Sequence, residues 1–321
     1  MSILITGSTG FLGNNLVRHM LETHPDQQVI GYSKRTYVDN PASGEDLKNH
    51  PQFKQIAGDI CDTLLFMKTI QENDIETIFH LAASTHVDRS FLYPKEFLDT
   101  NVYGTFSILE AVRHSGKNPL LIQMSTDEAF GDVPEKFCRE DDVLAPRNPY
   151  SASKASAEMF CNAYHHSFGT RVITARSMNM YGQYQHPEKL IPKIITNCLN
   201  DRHFTLYEGN SVRGWTYVQD TCAALDLLAE KGEVGEIYHI PPDAYLTVSE
   251  VAEKILDITG KHELFDGYKG RRLKDDERYA LDGTKFTYKL KWTPPTSFNE
   301  GMKKTIDWFA GNRWFWCHLS R

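Results

Sequence analysis

The chain opens on a short apolar run, Ile3-Leu4-Ile5, that passes at once into Gly7-Ser8-Thr9-Gly10-Phe11-Leu12-Gly13. Behind the glycines, Leu16, Val17, Met20 and Leu21 recur at helical spacing, so the pattern predicts strand, tight turn and helix in succession. The alternation continues. Residues 28–32, 53–57, 77–81, 119–124 and 170–175 read as strands, and helical spacing returns at Phe106, Leu109, Val112 and Arg113 and again through 151–167. In that last helix Ala155, Met159, Ala163 and Tyr164 are expected on one face, with Gly169 beyond its end. Strands alternating with helices predict an α/β fold, a doubly wound parallel (Rossmann) sheet.

Past residue 176 the rhythm loosens, broken by Pro187, Pro192, Pro241, Pro242, Pro294 and Pro295. The expected division is a dinucleotide-binding domain over 1–176. Residues 177–321 would be mainly a smaller, irregular α/β substrate lobe, with some segments returning to the first domain. Neither an internal repeat nor a low-complexity linker is present.

The chain has 321 residues, 40% hydrophobic and 24% charged, enough to build a sizeable core. A net charge of −7 argues against nucleic acid or an anionic membrane surface as the main partner. An anionic small molecule needs only a local cationic pocket. Cys61, Cys138, Cys161, Cys198, Cys222 and Cys317 are scattered without metal-ligand spacing, so they read as reduced thiols of a cytoplasmic protein with no metal site. No leader pattern opens the chain, and no apolar run approaches the ~20 residues that span a bilayer.

Glycines at 7, 10 and 13 suit a turn that lets the backbone approach a pyrophosphate, with a helix N-terminus facing the phosphates. Some 20 residues on, where an acid normally meets the adenosine ribose, stand Ser33, Lys34 and Arg35. That leaves NADP open beside NAD. Gly58-Asp59-Ile60 is placed to meet the adenine, and the small Ala82 and Ala83 let a cofactor lie close to the backbone.

Ser125-Thr126-Asp127-Glu128 ends a buried strand, where ligands of open α/β sheets bind, so the two carboxylates read as a proton-handling pair. Tyr150 and Lys154 are four apart and share a helix face. A lysine beside the phenol is expected to lower the tyrosine pKa below its usual ~10 and make it a base. Lys189, Lys193, Arg213, Arg271, Arg272, Lys274 and Arg278 are the cations available for phosphates. The aromatic tail, Trp308, Phe309, Trp314, Phe315 and Trp316, reads as packing.

Thr6 to Gly13, His80-Leu81-Ala82-Ala83, His86-Val87-Asp88-Arg89-Ser90, Ser125 to Glu128, Tyr150 to Lys154 and Pro187 to Pro192 together resemble the extended short-chain dehydrogenase/reductases. The likeness runs from about Ile3 to Trp308 and is greatest to the nucleotide-sugar 4,6-dehydratases that act on dTDP-glucose or UDP-glucose. It implies a hydro-lyase with internally recycled NAD, making an NDP-4-keto-6-deoxyglucose on the way to 6-deoxyhexoses such as rhamnose. Tyr150 would take the proton of the C4 hydroxyl, tuned by Lys154 and helped by Thr126. Glu128 would remove the C5 proton, and Asp127 would protonate the departing C6 hydroxyl.

The same resemblance implies a cofactor site at Gly7, Gly10, Phe11, Leu12, Gly13, Ser33, Lys34, Asp59, Ile60, Leu81, Ala82, Ala83, Thr100 and Ser125, together with Tyr150 and Lys154. It implies a substrate site at Thr85, His86, Asn179, Glu188, Lys189, Leu190, Pro192, Tyr207, Arg213 and Arg272, and a homodimer built by the helices near 96–114 and 151–167. Three positions depart from the family pattern. Ser33 replaces the usual acid, Met180 follows Asn179 where a second Asn is common, and Asp275 stands where a His is usual. The rival readings are a nucleotide-sugar 4-epimerase or decarboxylase, which need no Asp-Glu pair, and a non-catalytic cofactor sensor, which needs neither that pair nor Tyr150 and Lys154.

Overall fold

A computed structural model describes residues 2–36, 40–207, 211–270 and 276–319. The first half alternates as its hydrophobic pattern dictates: β1 (Ser2–Thr6), α1 (Phe11–Thr23), β2 (Gln28–Ser33), β3 (Phe53–Ala57), α2 (Thr63–Glu72) and β4 (Ile75–His80). There follow α3 (Val87–Leu92), α4 (Pro94–Phe97), a π-helical stretch Leu98–Tyr103, α5 (Gly104–His114), β5 (Leu120–Thr126), α6 (Pro149–Phe168) and β6 (Val172–Ser177). The remainder comprises β7 (Asn179–Tyr181), α7 (Leu190–Leu199), β8 (Phe204–Leu206), β9 (Val212–Tyr217), α8 (Val218–Lys231) and β10 (Ile237–His239). It ends with β11 (Ala244–Thr247), α9 (Val248–Thr259), β12 (Phe265–Tyr268), α10 (Thr284–Leu290), α11 (Phe298–Gly311) and α12 (Arg313–Trp316).

Seven strands form one sheet in the order β10-β6-β5-β4-β1-β2-β3, every pairing parallel. The chain winds outward from β1 in one direction and from β4 in the other. The crevice beyond the carboxyl ends of β1 and β4 is therefore the ligand position that the topology prescribes. β10 lies some sixty residues beyond β6 in the sequence and still closes the far edge of this sheet. Helices cover both faces, and each face has its own apolar core. One joins Leu16, Val17 and Met20 of α1 to Leu225 and Leu228 of α8, the other Phe66 and Ile70 of α2 to Ile108 and Val112 of α5.

A three-stranded sheet, β11-β9-β7, and a two-stranded one, β12-β8, belong to the later residues. Their core gathers Ile191, Ile194 and Ile195 of α7, Val251 and Ile255 of α9, and the C-terminal Phe309, Phe315 and Trp316. The aromatic tail is packing, as its sequence suggests, apart from Trp314, which is largely exposed.

Helix α6 corrects one expectation. Ala155 and Tyr164 are buried, but Met159 and Ala163 face solvent. The face against the sheet instead carries Tyr150, Lys154, Glu158 and Cys161, so polar residues occupy much of the seam. Gly169 closes the helix at φ 68°, the left-handed region that favours glycine at this position.

Candidate active site

The turn between β1 and α1 is shaped by what cannot fit there. Gly7 has φ 68°, and a Cβ on it would lie 3.0 Å from the backbone of Ala82; a Cβ on Gly13 would lie 2.1 Å from the Gly7 carbonyl. Thr6 explains the closeness of the two segments. Its hydroxyl accepts hydrogen bonds from the amides of Leu81 and Ala82 at 3.0 and 3.1 Å and sits 2.9 Å from Nδ1 of buried His80. Helix α1 follows Gly10 at its N-cap, with no side-chain cap and no acid in its first turn. A helix start with uncapped amides, beside glycines that leave room for a pyrophosphate, fits a dinucleotide.

From this turn a cleft of about 1000 Å³ runs across the carboxyl ends of the strands. It brings together Gly7, Gly10, Phe11, Leu12, Gly13, Ser33, Lys34, Asp59, Ile60, Leu81, Ala82, Ala83, Thr100, Ser125, Tyr150 and Lys154. Thr126, Asp127 and Glu128 line its middle; Thr85, His86, Asn179, Glu188, Lys189, Leu190, Tyr207 and Arg213 line the rest. Two expected residues are not among these. Pro192 points into the core with the buried face of α7, because its place in that helix turns it away from the cleft. Arg272 and Asp275 lie outside the described residues. Arg278 is not at the cleft either: its guanidinium donates to the carbonyls of Val133 and Lys136 and stacks on Phe137.

At the end of β2, Ser33 takes part in a cluster of hydroxyls and an amide. Its Oγ lies 3.3 Å from that of Ser8 and accepts from Thr9 at 3.2 Å and from Gln55 at 3.1 Å. Neighbouring Lys34 pairs with Asp59 at 2.8 Å. Neither residue leaves a lone acid at the ribose position.

β5 runs two residues beyond its apolar stretch, so Ser125 and Thr126 complete the strand and Asp127 starts a single 3-10 turn, Asp127–Phe130. Thr126 caps that turn, accepting from the Glu128 amide at 3.3 Å and donating to Asp127 Oδ1 at 3.1 Å. Asp127 is buried, and its Oδ2 has no hydrogen-bond partner among the described residues. Burial and the neighbouring Glu128 charge push its pKa up to about 7, against a smaller opposing pull from Arg213 and Thr126. Half-buried Glu128 has a different setting. Its Oε2 accepts at 3.3 Å from the amide of Asn148, the residue that also caps α6. Adjacent carboxylates in unlike surroundings are the arrangement that separates an acid from a base.

Tyr150 lies in the first turn of α6, buried. Its pKa is raised, first by burial and then by the charge of Glu128, with a hydrogen bond to Thr126 acting the other way. This overturns the expectation that Lys154 lowers it. The Lys154 ammonium instead donates to the Met124 carbonyl at 2.6 Å. Burial lowers its own pKa to about 8.

Among the other cleft residues, Ser84, Glu96 and Phe315 carry no sequence signal of their own. Ser84, Arg89 and Glu96 form one strip, with Glu96 accepting from both the serine hydroxyl and the guanidinium at 3.0 Å. Phe315, from α12, reaches the cleft because Asn40 donates to its carbonyl at 2.6 Å. The first group is scattered along its segment without a pattern, and the second contact spans 275 residues of chain.

Fold and site together define a dinucleotide-binding protein of the doubly wound class with two adjacent carboxylates at the end of β5. More narrowly, the chain belongs to the GDP-mannose 4,6 dehydratase family, whose model matches residues 4–305. It is 38% identical to the low-salt glycan biosynthesis protein Agl12 of Haloferax volcanii, over 97% of this chain and 99% of that protein. It is 37% identical to RHM1 of Arabidopsis thaliana, a trifunctional UDP-glucose 4,6-dehydratase, 3,5-epimerase and reductase, over 99% of this chain and 48% of that one. The crystal structure of DesIV, the dTDP-glucose 4,6-dehydratase of Streptomyces venezuelae solved with NAD and TYD, superposes with a TM-score of 0.94 at 36% identity, covering 99% and 100% of the two chains.

Proposed function

We propose that this protein is a nucleotide-sugar 4,6-dehydratase that uses NAD and converts dTDP-glucose or UDP-glucose to the NDP-4-keto-6-deoxyglucose. The observation that carries the reading is buried Asp127, its Oδ2 unpartnered among the described residues, directly beside Glu128 in the cleft that also holds Tyr150. An epimerase or decarboxylase has no use for such a pair, and a cofactor sensor has no use for Tyr150 beside it.

Bound at the glycine turn, NAD supplies the hydride acceptor for C4, the hydride donor for C6, and a positive charge that favours the phenolate of Tyr150. Tyr150 takes the proton of the C4 hydroxyl as the ketone forms, and Thr126 holds the same oxygen. The ketone acidifies the hydrogen at C5. Glu128 removes it, and Asp127, protonated up to about pH 7, delivers a proton to the C6 hydroxyl so that water leaves. Hydride at C6 and a proton at C5 complete the 4-keto-6-deoxy product, one water lighter than the substrate. Arg213 and Lys189 are the cations proposed for the pyrophosphate.

Residues 1–176 would serve mainly the cofactor and 177–321 mainly the sugar nucleotide, with β10 returning to the large sheet. A homodimer through α5 and α6 is supported by exposed Leu98, Tyr103, Met159, Phe160 and Phe168 on and beside those helices. A cytoplasmic location agrees with six unbridged cysteines. The product suits pathways to 6-deoxyhexoses such as rhamnose.

The test is to release and identify the bound dinucleotide, then assay dTDP-, UDP- and GDP-glucose side by side. A 4-keto-6-deoxy product from the dTDP or UDP sugar supports the reading. Epimerised hexose, or no turnover of any of the three, refutes it.

A further inference from the structure

Beneath the cleft, helix α6 grips the end of β5 at two consecutive residues. Lys154 donates to the carbonyl of Met124 at 2.6 Å, and Glu158, one turn further along, accepts from the hydroxyl of Ser125. Ser125 is the register partner of Arg176 on β6. Arg176 reaches back to the same Glu158, with Nη2 and Nε at 2.7 and 3.0 Å from Oε2. The side chains of Glu158 and Arg176 are 4% and 2% exposed. A fully buried carboxylate ordinarily makes a domain harder to fold, and replacing such a pair with apolar residues is often neutral or stabilising. Its position against Ser125 and Lys154 gives it a second task.

We propose that Glu158 is a positioning residue: anchored by Arg176 and fixed to Ser125, it is the buried counter-ion that keeps Lys154 charged under the site. The reaction assigned to the cleft says what that charge is for, whereas the charge itself can be measured without it. Among the described groups that face Lys154, Glu158 is the main source. On α6 stand Tyr150, Glu158 and Cys161; β4 contributes His80, neutral because burial takes its pKa to about 3; β5 contributes only the Met124 carbonyl. Asp127 and Glu128 act on Tyr150 instead. Among those neighbours Glu158 exerts the largest pull toward the ammonium form, against a larger push from burial.

The experiment uses the full-length protein labelled with ¹³C at lysine Cε. The resonance of Lys154 is assigned by its loss in Lys154→Arg and titrated by NMR in wild type, Glu158→Asp and the double variant Glu158→Gln/Arg176→Met. The double variant removes both charges of the Glu158–Arg176 pair, so neither is left buried without the other. The expected midpoint is near that of wild type in Glu158→Asp and lower by about one unit or more in the double variant. Turnover of dTDP-glucose should fall at least tenfold in the double variant at pH 8, with the alkaline fall of kcat displaced downward with the midpoint. An unchanged Lys154 midpoint in the double variant overturns the proposal. So does full recovery of activity in that variant, which would leave Glu158 with the sole role of pairing Arg176. If wild type turns over no sugar nucleotide, the functional reading fails, and the titration still decides the role of Glu158.

Discussion

Lys154 spends its ammonium on the carbonyl of Met124, at 2.6 Å, and not on the phenol of Tyr150 one turn before it. The lysine is therefore tied to the strand and not to the phenol, whose surroundings are set by Glu128, Thr126 and Asp127. Without an added positive charge the phenol stays protonated, because burial and Glu128 both oppose the phenolate.

Tyr150→Phe tests the phenol directly. The substitution removes one oxygen and keeps the ring that packs edge-on against Phe97 at a centroid distance of 6.3 Å, so the fold is retained. In a single turnover, reduction of bound cofactor by dTDP-glucose should slow by about 10²–10⁴-fold, the usual contribution of a positioned acid or base. Stopped-flow nicotinamide absorbance reads the step. A rate within threefold of wild type removes Tyr150 from the role.

Asp127→Asn should separate function from stability. The folded pKa of Asp127, about 7, lies above its ordinary value of 3.8, so the native state binds the extra proton between those two values. Stability from this group is full below about pH 4 and is lost as pH rises through 7, by roughly 2–4 kcal/mol in all. The variant has no such dependence. Its Tm should gain on that of wild type steadily from pH 4 to pH 7 and hold the advantage at pH 8, while dehydration falls at least a hundredfold. In wild type, kcat/KM should decline above about pH 7 as the acid ionises. A Tm difference independent of pH would contradict the burial of a titrating carboxyl at this position.

Ser33→Asp restores an acid at the end of β2. In the native chain the Ser33 cluster and the Lys34–Asp59 pair present no lone carboxylate to the ribose. Titration calorimetry on cofactor-free protein should show NAD and NADP bound within about tenfold of each other. The variant should lose NADP affinity by at least tenfold and keep NAD, since a carboxylate accepts ribose hydroxyls and repels a phosphate. Equal loss of both would show that the ribose lies elsewhere.

Much of the architecture could be read from the residues, and the failures have physical causes. The turn at Gly7 and Gly13 announces itself because a single Cβ there collides with backbone, so few other residues satisfy the position. The parallel strands announce themselves as apolar runs covered on both faces. Asp127, Glu128, Tyr150 and Lys154 were legible as a set because polar groups at strand and helix ends need a purpose. What spacing could not reveal was which way each group is pushed. The phenol of Tyr150 is governed by burial and by carboxylates from another element, and no sequence interval records those. The seam of α6 was misread for a related reason: helical period gives a face, but polar Glu158 wins burial through Arg176, and Met159 is left outside. β10 and Phe315 reach the sheet and the cleft across long stretches of chain, where local pattern carries no information.

The most direct test of the account is the fate of the C5 hydrogen. Wild type and Glu128→Gln are incubated with dTDP-glucose and UDP-glucose in deuterated water, and the products are read by NMR and mass spectrometry. Elimination by Glu128 and Asp127 predicts a 4-keto-6-deoxy product from wild type with deuterium at C5 and a hydride from C4 at C6, and at least a hundredfold less product from Glu128→Gln. A product without deuterium at C5, or one formed as fast by Glu128→Gln, would contradict it.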